Sequence, residues 1–134
     1  MYFKSFVICG LFLGSILTLP VQAQTQPINW YGQEYQFCAG AGGGSTLEIV
    51  SCVDGLVRKW DRRLNVEYRQ AMNVLIKRQR KRLRAAQRLW IKYRNANCNY
   101  YASGEGTIAR IEGVECMRVL TARRALELSQ VLKP

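Results

Sequence analysis

The chain has 134 residues, enough for a single domain, and carries 20 Lys and Arg against 9 Asp and Glu, a formal charge of +11. It contains no histidine, which removes the commonest acid–base catalyst and a frequent metal ligand. A surface this positive favours anionic partners in a salt-dependent way.

Met1 to Ser5 is a short start carrying Lys4, and "FVICGLFLGSILTL" from Phe6 to Leu19 is a continuous apolar run. Pro20 breaks it, and "VQA" puts small side chains where a signal peptidase reads. The run is short for a membrane span. Residues 1–23 therefore read as a secretory signal peptide cleaved after Ala23. Cys9 lies too early for a lipoprotein cysteine and leaves with the leader. The mature chain has 111 residues, no transmembrane segment, and 19 basic against 9 acidic side chains, a charge of +10.

Gln24 to Phe37 is polar and aromatic and reads as an irregular arm, residues 24–37. "CAGAGGG" from Cys38 to Gly44 reads as a flexible loop. It has neither the preceding strand nor the terminal lysine of a phosphate-cradling loop. Ser45 is the natural N-cap of a helix, and Glu48 can reach back to complete a capping box. That first helix is expected to end near Cys52, with a bend at Asp54–Gly55.

From Asp61 to Asn97 neither proline nor glycine occurs. Leu64, Tyr68, Met72, Leu75, Gln79, Leu83, Ala86, Trp90 and Tyr93 recur in steps of three and four, one helical face interrupted only by Gln79. A single long amphipathic helix is predicted, roughly 55 Å if straight, with a kink near residues 77–82 as the variant. Trp90 is expected in the core. Lys77, Lys81, Arg84, Arg88 and Lys92 keep helical spacing on the opposite face. Solvated charge is the usual meaning of such a row, but few acids interleave here.

"NYYASGEG" after Cys98 is a loop, and the chain turns helical again from about Val114. A helix that returns after a short loop packs antiparallel to its predecessor. Arg124 falls inside its apolar stripe, where a charge needs a partner; Glu48 and Asp61 are the candidates. Cys38, Cys52, Cys98 and Cys116 remain after export, and an even number in a small exported chain implies disulfides. Three pairings exist. Proximity along the chain favours Cys38–Cys52 and Cys98–Cys116. There is no CxxC to suggest metal, and no cofactor is expected.

"CAGAGGGSTLEIVSC", "WDRRLNVEYRQAM", "LRAAQRLWIKYRNANC", "GT" at Gly106–Thr107 and "CMRVLTARRALEL" follow one another in an order that resembles the N-terminal domain family named after the lysozyme inhibitor LprI. The likeness runs from about Cys38 to Leu128. It implies a small, exported, all-α domain with paired cysteines, and lysozyme as a partner. The expected architecture is an antiparallel helical hairpin or bundle with a long central amphipathic helix, stapled by two disulfides. Residues 38–134 form the single LprI-like domain, and Glu48, Asp61, Trp90, Tyr93, Arg94 and Arg124 are structural.

The resemblance implies a periplasmic or secreted, non-enzymatic envelope protein that inhibits lysozyme. The loop with Tyr100, Tyr101 and Glu105 is the candidate plug for the enzyme's sugar cleft. The alternative is a cationic module binding anionic envelope lipid, an anionic polymer or a partner protein through the row from Lys77 to Lys92. Nucleic acid is not an expected partner, because export takes the chain away from it.

Overall fold

A computed structural model describes residues 30–41 and 44–131. The signal peptide and the first residues of the arm lie outside the described residues. Four α-helices make up the fold, with no strand among the described residues: α1 (Trp30–Ala41), α2 (Thr46–Val74), α3 (Lys77–Ala102) and α4 (Ile108–Gln130). The protein is all-α, and its disulfides are Cys38–Cys52 and Cys98–Cys116.

The second half of the arm is not irregular. α1 extends from Trp30 through the first residues of the glycine loop to Ala41. It is held from outside rather than by its own sequence: Cys38 is bonded to α2, and the Glu34 carboxylate accepts from Lys59 Nζ at 3.2 Å and Trp60 Nε1 at 2.8 Å. These pairings run α1 antiparallel to α2.

α2 begins as its sequence requires. The Ser45 hydroxyl accepts from the Glu48 N–H, and the Glu48 carboxylate accepts from the Ser45 N–H at 3.1 Å. The expected bend at Asp54–Gly55 is absent, and the helix runs straight through to Val74. The Asp54 carboxylate pairs one turn on with Arg58, and such a pair supports the helix across the glycine.

The long helix is broken instead at Leu75–Ile76. Both residues are extended, with ψ of 145° and 159°. No kink occurs within 77–82, because α3 starts afresh at Lys77. Gln79, the odd member of the apolar stripe, turns its Oε1 back to accept from the Ile76 N–H at 3.3 Å. It satisfies one of the donors that every helix start leaves open.

α4 packs against both α2 and α3. Leu64 meets Ala125 and Leu128, and Ser45, Thr46 and Val50 share a recess with Thr107 and Arg110, so α2 and α4 run parallel. Cys98–Cys116, Arg94–Thr121 and Gln87–Arg124 run α3 antiparallel to α4. Trp60, Tyr68, Leu83 and Trp90 close around the Leu64–Ala125–Leu128 centre. Gly106 makes the turn before α4 with φ +77°, a conformation that glycine alone adopts freely. Gly113 lets α4 approach the end of α3: a Cβ there would lie 2.6 Å from the Ala102 Cβ.

The bundle thus has two unlike ends. One, here the clasp end, holds both disulfides, the α3–α4 turn and the starts of α2 and α4. The other, the corner end, holds Leu75–Ile76, the start of α3 and the close of α4.

Candidate functional site

The buried seam of α3 is rotated from the stripe of apolar residues. Leu83, Gln87, Trp90, Arg94 and Cys98 face inward, and Gln87 and Cys98 are buried. Polar members fill the seam because α4 satisfies them. Arg124 Nε donates to Gln87 Oε1 at 3.0 Å and its Nη1 to Glu127 Oε1 at 2.6 Å. Neither Glu48 nor Asp61 is the partner of Arg124: Glu48 serves its own helix cap, and Asp61 lies 3.8 Å from Arg94 Nη1. Arg94 also donates to Thr121 Oγ1 at 3.1 Å and lies 5.0 Å from the centre of the half-buried Trp90 ring. Burial holds the Arg94 guanidinium below its ordinary value, with Asp61 opposing.

The rotation corrects the reading of Tyr93. It is 56% exposed, because the side chains that face α4 are its neighbours Trp90 and Arg94. Tyr93, Asn97 and Tyr101 stand four residues apart on one side of α3. With Glu112, Glu115, Val119 and Arg123 of α4 they line a shallow groove of about 470 Å³. The Cys98–Cys116 bond ties its two walls, and Asn97 Nδ2 lies 3.4 Å from Cys116 Sγ. Tyr100 meets Tyr101 edge-on, the ring centres 5.4 Å apart. The expected loop is shorter than its sequence suggested: Tyr100 and Tyr101 belong to the last turn of α3, where Tyr101 joins the groove and Tyr100 is exposed beside it, and only Glu105 lies, exposed, in the turn.

Glu115 of the groove also belongs to an ion cluster that the sequence did not announce. Arg118 is completely buried. Its Nε donates to Glu115 Oε2 at 2.7 Å and its Nη1 to Glu34 Oε2 at 2.9 Å. Burial pushes this guanidinium down, but the hydrogen bonds and charges of Glu115 and Glu34 outweigh it and raise it above its ordinary value. Arg118 therefore stays charged and fixes Glu115 at the groove's edge. A sequence signal existed in Glu115 and Arg118 at i, i+3, but Glu34, 84 residues away, had none.

The basic row starts at the corner end. Lys77, Lys81, Arg84, Arg88 and Lys92 are all exposed. Among the described residues, none of them forms an ion pair. Lys77, Arg78, Arg80, Lys81 and Arg84 surround a surface recess at the corner end. The row runs from this recess along α3 to Lys92, which adjoins Tyr93 of the groove. From Lys77 to Tyr101 the axis of α3 runs about 36 Å at 1.5 Å per residue.

Exposed aromatic rings and carboxylates thus share one disulfide-bonded edge. Among the described residues no helix is long and apolar enough to cross a membrane. A family model described as Lysozyme inhibitor LprI matches residues 38–128, an interval that contains both disulfides and the groove. No curated protein and no solved structure matches the chain.

Proposed function

The chain belongs to the lysozyme inhibitor LprI family, and on that premise we propose that it binds lysozyme outside the cytoplasm through the groove at the clasp end and inhibits it without catalysis of its own. Its two disulfides and its family fit an oxidising compartment, and the proposed leader would deliver the chain to the periplasm or the medium.

The observation that carries this reading is the make-up of the clasp end. In a chain of charge +11, this end exposes Tyr93, Tyr100 and Tyr101 of α3, Glu105 of the turn and Glu112 of α4, on a hairpin braced by Cys98–Cys116. Animal lysozymes are strongly basic, and two like-charged surfaces oppose encounter. Most of the α3 row lies toward the far end of the helix, although Lys92 adjoins Tyr93 and Arg123 lines the groove. Screening at physiological salt acts over about 8 Å, so a basic partner meets Glu105, Glu112 and Glu115 together with those two cations rather than the whole row. Tyrosines suit the partner because they bring large contact area and a polar tip.

The test is lysis of a cell-wall suspension by lysozyme, titrated with the oxidised protein. Inhibition that saturates with added protein, and that weakens more than about tenfold when Tyr93 and Tyr101 become serine, supports the groove, since exposed aromatic anchors carry much of an interface's energy. Inhibition equal in the parent and the serine variant would refute it.

A further inference from the structure

The corner end combines two features that neither the fold nor the groove uses. Val74 and Ile76, on either side of half-buried Leu75, are 64% and 59% exposed. Directly after them come Lys77, Arg78 and Lys81, exposed and, among the described residues, without an ion pair. The first turn of α3 holds no acid. Cations there oppose the positive end of the helix dipole, so this arrangement works against the helix it starts.

We propose that this corner docks on an anionic phospholipid bilayer. Val74 and Ile76 enter the boundary between headgroups and acyl chains, and Lys77, Arg78, Lys81 and Arg84 hold lipid phosphates around them. Apolar side chains ringed by lysine and arginine on a solvent-exposed element match the chemistry of an interfacial membrane contact. The apolar pair favours a bilayer over a dissolved polyanion. A nucleic acid or phosphate polymer would be held by charge and by stacking rings, and the exposed tyrosines lie at the other end. The proposal is independent of lysozyme binding, since it uses the opposite end of α3. With the corner on the bilayer, the groove would stand about 24 to 36 Å further along the α3 axis.

The test is co-sedimentation of the oxidised protein with vesicles of phosphatidylcholine alone or mixed with phosphatidylglycerol. The parent should sediment only with the anionic vesicles. The variant Val74→Ser/Ile76→Ser should lose more than about tenfold in affinity through the missing apolar contact. The variant Lys77→Glu/Lys81→Glu/Arg84→Glu should lose at least about as much through the reversed charge. All these positions are exposed, and far-ultraviolet circular dichroism checks that both variants fold. Should the charge-reversed variant fail to fold, the serine variant decides alone. Equal sedimentation with both vesicle types, unchanged affinity in the serine variant, or tighter binding to single-stranded DNA than to anionic vesicles would overturn the proposal.

Discussion

Arg118 of the fourth helix donates to the carboxylate of Glu34 in the first at 2.9 Å, across 84 residues of sequence. This pairing, with Glu115 on the same guanidinium, joins α1 to the body of the bundle and holds one carboxylate of the groove lining. Removing one member of a buried ion cluster leaves the others uncompensated, at a cost of about 3–5 kcal/mol. Arg118→Met should therefore lower the stability measured by urea unfolding by about that much. Glu34→Gln should cost less, since it keeps an acceptor for the guanidinium.

The close approach of α3 and α4 predicts an unusual rescue. Gly113→Ala places a methyl 2.6 Å from the Ala102 Cβ and 3.1 Å from its Cα, and such overpacking typically costs about 1–3 kcal/mol. Adding Ala102→Gly removes the nearer atom only. The double variant should thus recover part of the loss, seen as a positive coupling energy in a cycle of thermal melts.

The clasp itself can be opened. Replacing Cys98 and Cys116 by serine frees a crosslink with a sequence separation of 18 and should cost about 2–4 kcal/mol by unfolding in denaturant. If the groove needs its two walls tied, inhibition should fall by more than the change in folded fraction explains.

A small pH effect should report the α2 cap. Hydrogen bonds from the Ser45 backbone and then its hydroxyl hold the Glu48 carboxyl below its ordinary value. A depressed carboxyl contributes stability above its unfolded value and loses it as pH falls through its folded value. Glu48→Gln should consequently melt lower than the parent at neutral pH. The two curves should converge in acid, below the ordinary glutamate range.

The residues that could be read locally were read. The Ser45–Glu48 box lies within one turn, and the two cysteine pairs are neighbours in sequence, so the start of α2 and both staples were legible. The break at Leu75–Ile76 was not, because no proline or glycine marks it and the apolar period continues across it. Gln79 looked like a flaw in a stripe when it was a helix start. α1 was missed because contacts from α2 and α4 hold it rather than an amphipathic pattern of its own. The groove was only partly visible. Counting apolar residues put Tyr93 on the packing face, whereas Gln87 and Arg94 occupy the seam, satisfied by Arg124 and Thr121 on a helix the counting could not see.

The most direct measurement of the central claim compares two charge changes in one lysozyme assay. Reversing Lys81, Arg84 and Arg88 to glutamate touches only exposed positions, and such substitutions usually shift stability by less than about 0.5 kcal/mol each. Inhibition of a basic lysozyme should hold or improve in that variant, because repulsion falls. Glu105→Lys/Glu112→Lys at the clasp end should weaken it sharply. If the parent fails to slow lysozyme at saturating concentration, or if the basic row is needed and the two carboxylates are not, the groove is not the inhibitory surface.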